Sequence, residues 1–520
     1  MADIVLINPR FEVSYWGLEH ALPLLAKRAN LPTACLPLLA ALTPAEHTIT
    51  LIDENVEAID YARLERADIV GVTGMNVQRH RMREILTELK ERGIFTVVGG
   101  PWVTVQEDYF GELADVIFVG EAEETWPQFL KQWETGVYGK RYEQLNPTDM
   151  TKVPVPRFDK LKMRHYAFGS LQFSRGCPFQ CEFCDIIITF GRRPRLKTNE
   201  QVIAEIEEMH RHGMEMAFIV DDNLIGNKKA VKVLLQTVKE WQERHAYPIT
   251  FFTEASIDLA DDAELMQAMV DANITAVFIG IESPNEASLR ETKKFQNVRS
   301  GGTIVEKIHR IQEAGLDPWC GMIVGFDNDD ASIFRAQREF LRQSRILHAM
   351  IGLLHAVPKT PLHKRLATEG RLDYEDQPVY GTNVIPVQMT REELRDGYID
   401  LMADVYEPEF YFERLEKLYL EGNFRLGAAR EKYWRSHSWT RLKGLVKQTV
   451  SSAYVFYKLM REVPEAKLRQ EYRRRIWKFL QRRQDPVVLF VYIIKCAMHY
   501  HHYTLARRMA NRETGVVSTF

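Results

Sequence analysis

Ser174-Arg-Gly-Cys-Pro-Phe-Gln-Cys-Glu-Phe-Cys-Asp185 decides the reading of this 520-residue chain. It sets Cys177, Cys181 and Cys184 in a C-x3-C-x2-C pattern. Three thiols this close cannot all pair as disulfides. They can hold three irons of a 4Fe–4S cube, for which thiolate is the usual ligand. The fourth iron then stays open to a substrate or cofactor. A structural zinc site wants four protein ligands, and the next cysteines, Cys35 and Cys320, lie far away in sequence. Six cysteines without an even framework argue against a secreted disulfide scaffold.

The three-cysteine loop resembles the signature of the radical S-adenosylmethionine (SAM) enzymes. In that family the open iron chelates the amino acid end of SAM. An electron delivered by a reductant protein then cleaves SAM to a 5′-deoxyadenosyl radical. The rest of the composition is that of a soluble globular protein, 45% apolar and 27% charged. The length suits two or three domains. The opening Met1-Ala-Asp-Ile-Val-Leu-Ile-Asn8 lacks a basic start and reads as a buried strand rather than a signal peptide. No apolar stretch reaches the roughly 18 residues of a membrane span. These features predict a cytoplasmic protein.

Residues 1–140 alternate short apolar runs with helical stretches. The runs Ile4–Ile7, Thr48–Ile52, Asp68–Val72, Thr96–Val98 and Val116–Val119 end at Asn8, Asp53, Thr73-Gly74, Gly99-Gly100-Pro101 and Gly120-Glu121. This predicts a doubly wound parallel sheet, whose ligands bind beyond the strands' carboxyl ends. Thr73, Gly74, Gly99 and Gly100 are small enough there to admit a large flat ligand, although glycines at such places also serve simple turns. No G-x-G-x-x-G is present, which disfavours NAD. Gly99-Gly-Pro101 and Gly120-Glu-Ala-Glu-Glu124 resemble the cobalamin-binding domain of cobalamin-dependent radical SAM enzymes. The resemblance implies cobalamin contacts near Thr73, Gly74, Gly99, Gly100 and Glu121. The D-x-H-x-x-G motif, whose histidine ligates cobalt elsewhere, is missing, and His80 does not fit it. A cobalt without a protein histidine on its lower face is the expectation.

Residues 141–165 read as a linker broken by Pro147, Pro154 and Pro156. From 166 to 385 a strand–helix repeat predicts a partial (β/α)6 barrel. Its strands lead into the cysteine loop after Phe173 and end at Asp221-Asp222, Glu254-Ala-Ser256, Glu282, Asp327 and Pro358. The C-terminal ends of barrel strands carry active sites. Asp221, Asp222, Glu254, Ser256 and Glu282 are the candidates there, with helix capping as the competing reading for Asp222 and Ser256. The family resemblance implies that such residues hold the ribose and amino group of SAM. Cys320 reads as a core residue.

From 386 to 520 the pattern turns helical, opening at Thr390-Arg-Glu-Glu-Leu394. Residues 431–520 carry 19 Lys and Arg against 6 Asp and Glu, whereas the remainder has a net charge of −16. Arg473-Arg-Arg475 is the densest positive patch, with aromatics such as Trp439, Tyr454 and Trp477 interleaved. Such helices suit an anionic membrane surface, which would place the enzyme on the inner face of the cytoplasmic membrane. They also suit the chain's own acidic body or, least favoured, nucleic acid. Val487–Ile494 is too short to span a bilayer. His499, His501 and His502 point in different directions on a helix, which disfavours a shared metal.

The whole layout is similar to the cobalamin-dependent radical SAM methyltransferases, and most similar to the hopanoid C-2 methylases. It implies a 4Fe–4S cluster, SAM, cobalamin and an apolar lipid-like substrate. An unactivated C–H carbon is not nucleophilic. In this family the deoxyadenosyl radical removes a hydrogen atom, and methylcobalamin supplies the methyl group. A methylase or cyclase of a tetrapyrrole is the alternative enzyme, and a cobalamin-binding sensor the alternative without catalysis.

Overall fold

The computed structural model describes residues 1–299, 301–422 and 424–512. Short β-branched runs, each ended by Asn, Asp, Thr or Gly, build the first sheet. Strands β1 (Asp3–Asn8), β2 (Thr48–Asp53), β3 (Ile69–Thr73), β4 (Thr96–Gly99), β5 (Val116–Val119) and β6 (Arg141–Glu143) are all parallel. Their order is β2-β1-β3-β4-β5-β6. Successive side chains serve opposite faces. Val5, Ile7, Val70 and Val72 enter one core, and Ile4, Leu6, Ile69 and Val97 enter the other. β6 corrects the expected linker at 141–165: only Tyr142 of its three residues is buried, so no apolar run betrays it.

The second sheet holds β7 (Gly169–Leu171), β10 (Met216–Ile219), β11 (Thr250–Glu254), β12 (Ile274–Glu282), β13 (Asp317–Val324) and β14 (Ala349–Leu353). They run β14-β13-β12-β11-β10-β7, all parallel, as an open six-stranded barrel. Phe173 lies two residues beyond β7 rather than in it. The short β8 (Ser174–Arg175) and β9 (Arg195–Leu196) form a separate antiparallel pair that closes the cysteine loop at its base.

Helices Arg391–Val405, Pro408–Glu416, Ser438–Glu462, Ala466–Arg482 and Pro486–Ala510 make up most of the C-terminal region. Thr390 and Glu393 cap the first of these reciprocally. Pro408 restarts the chain after Tyr406 as a first-turn proline. The buried Arg414 donates to the carbonyls of Ile346, Val405 and Phe410, and Lys495 pairs with Asp317 at the start of β13. The helical region is thereby fastened to the end of the barrel opposite the cysteine loop.

One expectation about this region changes. Arg475 is not part of an outward basic patch. It is buried and bonded to Glu409 at 2.6 Å, Glu416 at 2.9 Å and Glu471 at 2.6 Å, and Lys478 also pairs with Glu416. Part of the tail's charge is spent on the chain itself. The three histidines separate: His499 lies between Tyr472 Oη and Tyr406 O, His501 Nε2 meets Ser14 O, and His502 stacks on Tyr15. Val487–Ile494 is the first third of a core helix. Among the described residues, no helix is long and apolar enough to cross a membrane.

Candidate functional site

The cysteine loop is pinned from the end of β10. Asp221 accepts from Phe173 N at 2.8 Å, Ser174 N at 2.8 Å and Ser174 Oγ at 2.6 Å. Asp222 accepts from Gly176 N at 2.7 Å. Gly176 has φ +93°, and a Cβ there would lie 2.9 Å from Gly191 O, so only glycine fits this crossing. Burial pushes Asp221 up to about 7 and Asp222 up to about 6.

Around the thiols, Asn223 Nδ2 approaches Cys177 Sγ at 4.0 Å and Gln296 Nε2 approaches Cys181 Sγ at 3.5 Å. Lys294 opposes its burial by pairing with Glu282 at 2.7 Å and by facing Cys181 and Cys184. Burial raises the Cys177 thiol and raises Cys184 strongly. Buried thiolates therefore need a cationic partner, and this donor set, with amide N–H groups and an ammonium beside it, fits an iron–sulfur cluster.

Above the loop, one cavity of about 760 Å³ joins the carboxyl ends of the first sheet to the barrel interior. Thr73, Gly74, Gly99, Gly100 and Glu121 line it on one side, and Phe168, Phe218, Phe252, Trp319 and Glu254 on the other. The three cysteines do not line it; Arg175, Thr189 and Phe190 carry their loop to its wall.

The expected site residues part company here. Gly100 has φ +98°, and a Cβ would fall 2.3 Å from Thr73 Oγ1. Its freedom serves close packing of two strand-end loops, not only room for a ligand. Asp222 holds the cysteine loop. Ser256 Oγ lies between Asn223 Nδ2 at 3.1 Å and Asp258 Oδ1 at 2.5 Å, and its hydroxyl does not cap the following turn. Glu282, at φ +64°, is taken by Lys294. The Glu254 carboxylate alone of these acids has no hydrogen-bond partner among the described residues, and it faces the cavity. Burial, with the Asp222 charge, lifts it to about 8.

Glu121 is the largest surprise. Its carboxylate meets Arg175 at 2.7 Å, Arg195 at 2.9 Å and Thr148 N at 2.9 Å. Burial works against its charge, but these partners win and hold its pKa below the usual value. Arg175 also meets Glu123 at 2.6 Å. A strand end of the first sheet is thus locked to the base of the cysteine loop. Arg175 stands inside the quoted stretch, yet nothing in its neighbours there signals a partner more than fifty residues upstream. His80 lies outside the cavity, within 3.5 Å of Asp376.

Comparison with known proteins matches residues 29–130 to a B12 binding domain, 171–339 to the radical SAM superfamily and 360–514 to a domain of unknown function. The hopanoid C-2 methylase of Rhodopseudomonas palustris is 31% identical, over 98% of this chain and 94% of its own. An uncharacterized methyltransferase of Synechocystis sp. is 36% identical, over 98% and 93%. The chain belongs to the cobalamin-dependent radical SAM methyltransferases.

The cobalamin-dependent radical SAM fold is shared with OxsB bound to aqua-cobalamin and SAM, at 14% identity and a TM-score of 0.62, covering 100% of this chain and 82% of that one. TsrM of Kitasatospora setae aligns at 14% identity with a TM-score of 0.61, over 85% and 100%. As a member of this family the enzyme uses a 4Fe–4S cluster, SAM and cobalamin.

Glu254 gives this methyltransferase a measurable pH dependence. Its folded pKa, about 8, exceeds its ordinary 4.5. The folded state therefore holds the proton more tightly, and stability falls as pH rises between those values. Asp221 and Asp222 act in the same sense. Glu254→Gln will flatten the fall in Tm of the cofactor-free protein and stabilise it at pH 8 by at least about 1 kcal/mol. Parallel melting curves for variant and wild type across that range would show the carboxyl to be solvated instead.

Proposed function

We propose that the enzyme methylates an unactivated ring carbon of an apolar polycyclic lipid, with C-2 of a hopanoid as the target. The observation that carries this reading is the wall of the barrel half of the cavity, where Phe168, Phe218, Phe252 and Trp319 face inward. The cations on the barrel side are already matched, Arg175 by Glu121 and Glu123, and Lys197 by Glu205, while Arg10 and Arg28 line the far side and Arg28 donates to the Val56 carbonyl. An uncharged, rigid substrate suits such a space better than a pigment bearing carboxylates. The hopanoid C-2 methylase named above supports the same reading along nearly the full chain.

When bound, the cluster, SAM and cobalamin supply the electron, the radical and the methyl group, and a reductant protein recharges the cluster. The chain's part is positional. Cys177, Cys181 and Cys184 hold the cluster, and Asp221 and Asp222 fix their loop. Glu254, which faces the cavity, would accept a hydrogen bond from the ribose or amino group of SAM. Thr73, Gly74, Gly99 and Gly100 form the platform for cobalamin. The aromatic wall excludes water and holds the substrate by shape.

Lipid mass spectrometry on a strain lacking the gene, and on the complemented strain, tests the substrate. The expected result is loss and return of a methylated pentacyclic lipid. Unchanged lipids alongside an altered tetrapyrrole pigment would replace this reading with its rival.

A further inference from the structure

The helix Ser438–Glu462 presents an outer face that none of the described residues covers. Trp439, Leu442, Val446, Val450, Tyr454 and Tyr457 recur at helical spacing, and all are between 42% and 68% exposed. They form one apolar stripe about 27 Å long. The opposite face, with Ser452, Val455 and Leu459, is buried. Monomeric proteins seldom leave such a stripe in water without a use for it.

The charge around the stripe is net positive, although Arg435 pairs with Glu431, Lys447 with Glu215 and Lys458 with Glu462. Residues 432–461 contain seven Lys and Arg and no Asp or Glu. Lys443 lies against the Trp439 ring, and Arg461 donates to Tyr457 Oη at 2.9 Å, so cations flank the aromatics at both ends. Indole and phenol rings beside ammonium and guanidinium groups match the headgroup layer of an anionic bilayer, with Leu442, Val446 and Val450 reaching below it.

We infer that this face docks the enzyme on an anionic lipid membrane. A second copy of the chain would bring the same net positive face, with Arg441, Lys443 and Arg461 outside these ion pairs, against itself. A nucleic acid would engage the cations but leave the three aliphatic side chains in water. The acidic body of the molecule is no competitor for them, because they already point away from it. This placement replaces Arg473–Arg475 as the contact, since Arg475 is spent internally.

The position suits an enzyme fed from a membrane. The helix packs on Leu22–Leu25, and that segment continues back through Glu19 and Leu18 to Trp16, all three in the cavity wall. The docking proposal stands on the helix face and requires no particular substrate.

Full-length protein is sedimented with vesicles of phosphatidylcholine with and without phosphatidylglycerol. The wild type is expected to bind the anionic vesicles at least about tenfold better than the neutral ones. Replacing Trp439 by Ser together with Leu442, Val446 and Val450 by Gln should reduce that binding about tenfold or more while circular dichroism and SAM cleavage persist. Lys443→Glu with Arg461→Glu, which leaves the apolar stripe intact, should do the same and guards against misfolding of the first variant. The proposal fails if wild type stays in the supernatant, or if both variants bind as it does. It also fails if the apolar substitutions abolish a concentration-dependent dimer in place of vesicle binding, or if an RNA oligonucleotide is bound and vesicles are not.

Discussion

Changing any one of Cys177, Cys181 and Cys184 to Ala will abolish both the iron–sulfur absorbance and 5′-deoxyadenosine formation. Anaerobically reconstituted wild type should carry about four irons in this cluster. Each thiolate would hold a different iron, and the free Cys35 belongs to the first domain's side of the cavity. Cys320 and Cys496 are fully buried in apolar core. Cys320→Ala is the matched control, costing some stability and leaving the cluster in place. Asp221, Asp222 and the Gly176 crossing hold the backbone whether or not the sulfurs are present, so the Cys→Ala variants should keep the wild-type circular dichroism. A triple Ala variant that still cleaves SAM would remove the basis of this assignment.

Arg175→Met will be the most destabilising single change near the site, by about 3–5 kcal/mol. The guanidinium is buried between Glu121 and Glu123, whose side chains are also largely sequestered. Removing it leaves two carboxylates facing each other, with Arg195 and Thr148 N still on Glu121 and the Thr148 hydroxyl on Glu123. The loss should appear in denaturant melts, and in cluster loading as well, because Arg175 belongs to β8 at the root of the loop. Adding Glu121→Gln and Glu123→Gln to Arg175→Met should recover much of it, since the penalty is that of unpaired charge. A cost below about 1 kcal/mol for the single variant would mean that the two domains are held together elsewhere.

The parts legible beforehand share one property: their signal is local. The first five strands of the first sheet announce themselves through three- to five-residue apolar runs ended by small or polar residues. The Thr390–Glu393 capping box states a helix start within four residues. Groups whose role depends on a distant partner were not legible. Glu282 and Glu254 look alike as acids at strand ends, yet Lys294 takes one and leaves the other free. Glu121 reads as a residue of a ligand loop, and becomes half of an interdomain lock only because Arg175 and Arg195 arrive opposite it. Gly100 reads as room for a ligand, and the close approach of Thr73 gives its missing side chain a second use.

The sequence by itself determined the chemistry, because three cysteines within eight residues can be brought to one cluster by the loop alone. It also determined the two parallel sheets, since apolar periodicity is a property of neighbours along the chain. Only the tertiary structure decided which acid stays unpaired, which arginine joins the domains and which basic helix still faces outward. Those outcomes depend on pairings from twelve residues apart, for Glu282 and Lys294, to more than fifty, for Glu121 and Arg175, where burial and opposite charge are set by the packing and have no counterpart in local spacing.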